Sequence, residues 1–248
     1  MLLPVKRFIA RQIFWTGPLV RLMAGSPIER HGVSVDIAPD QVHDNVRTAL
    51  FWGYYEAGMR RAVCEVMRRD LPVVELGGGL GFITTLIAQR TRAEKQIAFE
   101  ADPGRVPLLR DTLERNDCTG ITIVRRALDY TGAETVVLGH RPNIAARHVS
   151  SSESSTDGEN VVEAPATTLS QVLDEHDIGD FVLISDIEGA ELDVFEGEAS
   201  EAGPRCRQAI VEVHPVERNG RSLGRDEVAR RLCDAWNMEQ VRVDGDIR

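Results

Sequence analysis

Four cysteines are scattered through the 248 residues, at Cys64, Cys118, Cys206 and Cys233, and none forms a C-x-x-C pair. That spacing excludes a disulfide framework and a cysteine-ligated zinc site, and it is the expectation for reduced thiols in a cytoplasmic protein. Positive charge is also short: 29 Lys and Arg stand against 39 Asp and Glu, a net charge of −10, which excludes a general affinity for nucleic-acid backbone. No apolar run approaches the roughly 18 residues that would span a bilayer. The opening residues are no signal peptide, since Lys6, Arg7 and Arg11 interrupt Phe8, Ile9, Ile13, Phe14 and Trp15 and no small-residue cleavage site follows. Residues 1–25 read instead as a basic amphipathic helix broken near Gly17-Pro18. It is expected to pack over the rest of the chain or over a second copy in a homo-oligomer, with contact to a membrane surface as the alternative.

A further absence decides between nucleotide ligands. The stretch PVVELGGGLGFITT, residues 72–85, carries β-branched residues, a glycine-dense turn and then helical spacing in Ile83, Leu86 and Ile87. A strand, turn and helix in that order form the ligand edge of a doubly wound α/β sheet. A dinucleotide fingerprint needs a third glycine three places after Gly79, and that place is Phe82. What the chain has is E-x-G-x-G-x-G: Glu75, Gly77, Gly79 and Gly81, with Gly78 between. A carboxylate at Glu75 would repel a pyrophosphate and would accept hydrogen bonds from the cationic amino-acid end of S-adenosylmethionine. Glu100 lies 23 residues after Gly77, at the end of a second strand, QIAFEADP, followed by Ala101. A carboxylate there can accept both ribose hydroxyls.

Beyond this edge the α/β alternation continues. Residues 44–69 predict two helices interrupted near Gly53 to Gly58, with Tyr55 and Glu56 as pocket-wall candidates. A helix over Val106, Leu109 and Leu113 and a third strand at residues 121–124 follow. Ala127, Leu128 and Asp129 are expected beside the adenine. Residues 131–165 form a variable insertion with one strand at Thr135 to Leu138 and a serine-rich acidic loop at 149–160, and a short helix follows, capped by Thr167 or Thr168. The buried strand FVLI, 181–184, runs into Ser185-Asp186-Ile187-Glu188-Gly189-Ala190-Glu191, where Glu191 reads as a first-turn residue favoured by the helix dipole. The strand ending Glu212-Val213-His214-Pro215 puts Glu212 and His214 on one face by its period of two. A helix from Asp226 to Trp236 and a last strand at 240–243 close the chain. Residues 1–55 are thus a basic cap segment, and 56–248 one catalytic domain.

Three pieces, VVELGGGLG (73–81), AFEADP (98–103) and DIEGAELDVFEG (186–197), with VEVHP (211–215) in support, resemble the FkbM family of S-adenosylmethionine-dependent methyltransferases. The resemblance implies a class I, Rossmann-like fold: seven mostly parallel strands with helices on both faces, here with an N-terminal helical extension. It implies O-methylation of a hydroxyl on a sugar or other secondary metabolite. By position, Glu75, Gly77, Gly78, Gly79, Gly81, Glu100, Ala101, Ala127 and Asp186 are the cofactor candidates, and His214, Asp186, Glu188 and Glu212 the catalytic ones. Two positions depart from the family pattern, Ile184 standing where a lysine is common and Arg125 where an asparagine is. The proton acceptor is left open between His214 and Asp186. A divalent metal held by Asp186, Glu188, Glu212 and His214 is weighed and not assigned. The other readings are a non-catalytic cofactor-binding scaffold and a nicotinamide oxidoreductase.

Overall fold

The computed structural model describes residues 25–37, 42–140, 147–150 and 162–241, with positions 17 and 20 besides. The amphipathic helix expected over residues 1–25, the serine-rich loop and the end of the expected last strand lie essentially outside these residues.

A hairpin opens the described chain, β1 (Ile28–Arg30) paired with β2 (Val33–Val35). Two helices follow, α1 (Asp44–Trp52) and α2 (Ala57–Glu65). The break falls at Gly53, whose left-handed φ of 76° closes α1. Next come β3 (Val73–Leu76), α3 (Phe82–Ala88), β4 (Gln96–Phe99), α4 (Val106–Arg115) and β5 (Ile121–Val124). The strands β6 (Ala127–Leu128), β7 (Thr135–His140), β8 (Arg147–Ser150) and β9 (Val162–Thr167) form a separate four-stranded mixed sheet in the order β6-β9-β7-β8. The chain then returns through α5 (Leu169–Glu175), β10 (Phe181–Ser185), α6 (Glu191–Gly197) and β11 (Cys206–Val211), and ends in a hairpin, β12 (Val216–Arg218) with β13 (Arg221–Leu223), and helix α7 (Arg225–Trp236). Thr168 caps α5, its hydroxyl accepting from the Gln171 amide at 3.3 Å while Gln171 Oε1 accepts from the Thr168 amide at 3.0 Å.

The central sheet is parallel, in the order β11-β10-β3-β4-β5. It has five strands where seven were expected. After β11 the chain turns at Asn219-Gly220 into the β12–β13 hairpin, and after α7 residues 238–241 form no strand, so no antiparallel edge is added among the described residues. β3, β4 and β10 are buried along their whole length because helices cover both faces. On one face Val73, Val182 and Ile184 pack with Met59 and Val63 of α2, Leu86 and Ile87 of α3, and the β1–β2 hairpin. On the other, Val74, Leu76, Phe99 and Leu183 pack with Val172 of α5, Phe195 of α6 and Trp236 of α7. Phe195 and Trp236 stack at 4.0 Å, and Trp236 Nε1 donates to the Phe195 carbonyl. No described helix is long and apolar enough to cross a membrane.

The register fixes what gathers at the sheet's carboxyl edge. Glu75 pairs with Ala98 on one side and with Ile184 on the other, and Ile184 pairs with Ile210. Two residues on, the same pleat face carries Glu100, Asp186 and Glu212 past the strand ends.

Candidate functional site

A cleft opens at that edge, lined by Tyr55, Glu56, Gly77, Gly79, Glu100, Ala101, Ala127, Asp186 and Glu188 among others. Its volume is about 950 Å³, counting space open to solvent. A smaller recess of about 320 Å³ shares Tyr55, Glu56, Gly77, Gly79 and Asp186 with it and reaches down to Glu75, Gly78 and Phe82. Glu75 and Glu100 therefore stand on one side of the sheet, with the glycine turn between them.

Backbone conformation shapes this turn. Gly77 sits at φ +91°, and a Cβ there would run into the carbonyl oxygen of Asp186, so the β3 and β10 loops meet where only a glycine fits. Gly79 is open on its cleft side, the nearest atom to a Cβ being the Tyr55 hydroxyl at 3.9 Å. The amide of Gly79 donates to Glu100 Oε2 and that of Asp102 to Oε1, both at 2.8 Å. These two bonds fix the plane of the carboxylate and leave each oxygen a further lone pair. Burial raises the Glu100 pKa, against the pull of Arg105 and the two amides.

Glu75 is 2% exposed, and its Oε2 has no hydrogen-bond partner. Desolvation is the largest cause and pushes its pKa up to about 8. A buried carboxylate oxygen with nothing to accept from, beside a recess, is what a cationic ligand group would complete. Together with the glycine that no Cβ can replace and the amide-braced Glu100, it fits the three parts of an adenosyl amino-acid ligand.

The second group of polar residues lies on the β10 and β11 side. Asp186 lines both cavities and Glu188 the larger, and Glu188 holds a left-handed φ of 55°. His214 and Glu212 stand behind them and line neither cavity. His214 Nε2 is 3.5 Å from Glu188 Oε2 and 3.9 Å from both Asp186 Oδ1 and Glu212 Oε1. Its Nδ1 lies 2.9 Å from Oε1 of Glu191, a fully buried residue. Burial opposes charge on this imidazole, but the hydrogen bond to Glu191 and the charges of Glu191, Glu188 and Glu212 outweigh it and raise its pKa. Asp186 is pushed well above the carboxylate range by desolvation first and then by Glu56, Glu212, Glu188 and Glu191. Desolvation and Glu212 likewise lift Glu56 to about 7.

Two sets of three donor atoms lie within 4.8 Å of one another: those of Asp186, Glu191 and His214, and those of Glu56, Asp186 and Glu212. In the first, Glu191 and His214 are already bonded to each other. In the second, desolvation and the neighbouring carboxylates raise the pKa values of Glu56 and Asp186. The structure thus brings together every expected cofactor candidate except Gly81, which starts α3 behind the turn. It corrects Asp129, whose carboxylate accepts from the amides of Thr131 and Ala133 and so closes a turn away from the cleft. It adds Arg105 and Arg126 to the wall. Glu191 stands in the first turn of α6 as expected, but it is fully buried and bonded to His214, which the sequence reading did not foresee.

A family model described as the Methyltransferase FkbM domain matches residues 78–236. No match is found among curated proteins. Solved structures with similarity include precorrin-6y C5,15-methyltransferase from Geobacter metallireducens GS-15, 10% identical over 81% of this chain and 76% of that one, TM-score 0.41. EvdMO1 is 13% identical over 91% of this chain and 41% of its own, TM-score 0.43. The 23S rRNA methyltransferase ErmE is 19% identical over 62% of this chain, TM-score 0.35, and the match spans 44% of the ErmE chain.

Proposed function

The chain belongs to the FkbM methyltransferase family, and from that premise we propose that it transfers a methyl group from S-adenosylmethionine to a hydroxyl of a sugar or other secondary metabolite. The observation that carries the reading is the pair Glu75 and Glu100, two buried carboxylates on one side of the sheet with the glycine turn between them. The cofactor when bound supplies an electrophilic methyl on a sulfonium. Glu75 would accept from its ammonium and Glu100 from its ribose hydroxyls, while Ala101 and Ala127 leave room for a flat base.

In this reading Asp186 takes the acceptor's proton. It lines the cleft, and its Oδ1 is buried without a hydrogen-bond partner. Glu188 and Glu56 on the same wall can accept from neighbouring hydroxyls of the acceptor and orient it. Alignment of two bound reactants can supply roughly 7–11 kcal/mol and a positioned base about 10²- to 10⁴-fold, so loss of the base alone should leave measurable transfer.

The test is transfer of radiolabelled methyl from S-adenosylmethionine into a metabolite extract, paired with calorimetry on S-adenosylhomocysteine and NAD. Label appearing in an O-methyl product supports the reading. Binding of S-adenosylhomocysteine with no labelled product points to a scaffold, and binding of NAD alone to an oxidoreductase.

A further inference from the structure

The imidazole of His214 is 7% exposed and shut in from three elements: Asp186 and Glu188 past β10, Glu191 on α6, and Glu212 past β11. Glu56, ahead of α2, brings its carboxylate within 4.8 Å of those of Asp186 and Glu212. Only one of these contacts has hydrogen-bond length, the 2.9 Å between Nδ1 and Glu191 Oε1. As a carboxylate Glu191 can only accept, so hydrogen sits on Nδ1. That leaves Nε2 as the ring's proton-exchanging nitrogen, and Nε2 is the one turned to Asp186 and Glu188. Glu191 sits on the first turn of α6, inside the core, beside the fully buried Leu192. A first-turn acid serving only the helix dipole has no need of burial.

We propose that Glu191 is a positioning residue: it holds His214 in the Nδ1-protonated form, so that Nε2 receives the proton that Asp186 takes from the acceptor hydroxyl. The proton passes from hydroxyl oxygen to Asp186 and from Asp186 to Nε2, the carboxyl swinging about 1 Å toward the ring to bring the 3.9 Å separation to hydrogen-bond length. The imidazolium that results is balanced by the buried Glu191 carboxylate, and Asp186 returns to its charged form. This rests on the reading of Asp186 as the base.

Nuclear magnetic resonance of the full chain labelled with ¹⁵N-histidine tests it without an acceptor, the His214 signals being assigned by their loss in His214→Gln. The neutral ring should show hydrogen on Nδ1, and in Glu191→Gln it should titrate at lower pH. A neutral ring with hydrogen on Nε2, or a titration unmoved by Glu191→Gln, overturns the proposal. Binding of S-adenosylhomocysteine, measured on each variant, should match the wild type and shows that the variants fold. In the methyl-transfer assay Glu191→Gln should lower turnover by up to the 10²- to 10⁴-fold of a positioned base and cost nothing further once His214→Gln is in place. Equal costs in both backgrounds would mean that Glu191 acts on stability alone. If Asp186→Asn keeps full turnover, the base reading fails, while the resonance result still decides the Glu191–His214 pairing.

Discussion

Glu75 makes the cofactor assignment measurable through protons. Its pKa of about 8 in the free protein means that about nine-tenths of molecules carry a proton there at pH 7. An arriving ammonium is held best by the ionised form, so binding of S-adenosylhomocysteine at pH 7 should expel up to about 0.9 proton from this residue. Calorimetry in two buffers of different ionisation enthalpy counts that release. Glu100 also has a raised pKa, so the number that matters is the difference between the wild type and Glu75→Gln. The variant should release about one proton fewer and bind roughly 10- to 100-fold more weakly, as loss of a hydrogen bond to a charged group of about 1.5–3 kcal/mol requires. The same group shapes stability. A carboxyl whose folded pKa is raised contributes its full stability below the unfolded value, near 4.5, and loses it as pH climbs through about 8. That loss, at about 1.4 kcal/mol per pH unit between about 4.5 and about 8, is on the order of 5 kcal/mol, and Glu75→Gln should flatten this part of the stability curve. Equal proton release by both proteins, or a Glu75→Gln curve as steep as the wild type's, would refute the reasoning.

Gly77→Ala should abolish detectable S-adenosylhomocysteine binding, because the added methyl meets the Asp186 carbonyl and φ is +91°; near-normal affinity in calorimetry would contradict this. Thr168→Ala removes one half of the α5 capping box and should cost about 1 kcal/mol in urea unfolding, with methyl transfer per folded molecule unchanged; a loss of turnover without a loss of stability would show that α5 does more than pack. Excess chelator should leave methyl transfer unaltered, since the proposed transfer relies on alignment and a carboxylate base and on no cation; a loss restored by magnesium or manganese would give that cluster to a metal.

Much of the sheet was legible because its strands are covered on both faces. VVEL and FVLI are continuous apolar runs broken only by Glu75, and such runs have few homes other than a buried parallel strand. The two-helix reading of residues 44–69 followed from Gly53, which the structure uses in the left-handed region. Of the four-stranded side sheet only β7 was legible, at Thr135 to Leu138: β6 has two residues, and β9 carries Pro165 within VEAPAT, a pattern that reads as loop until its partners are known. Among the described residues no sixth or seventh strand joins the central sheet, and the strand-like run at 240–243 says nothing about whether an edge is free to receive it. Around the cleft, the acids at strand ends could be found because period two and strand order bring them together. Glu191 could not. Acids are common in the first turn of a helix, and only the fold shows that this one is turned inward onto a histidine 23 residues away.

A crystal structure with S-adenosylhomocysteine bound tests the central claim most directly. The account predicts one ligand lying across the glycine turn, its ammonium at Glu75 and its ribose hydroxyls on Glu100. A ligand seated elsewhere, or one in this cleft that leaves either carboxylate untouched, would contradict it.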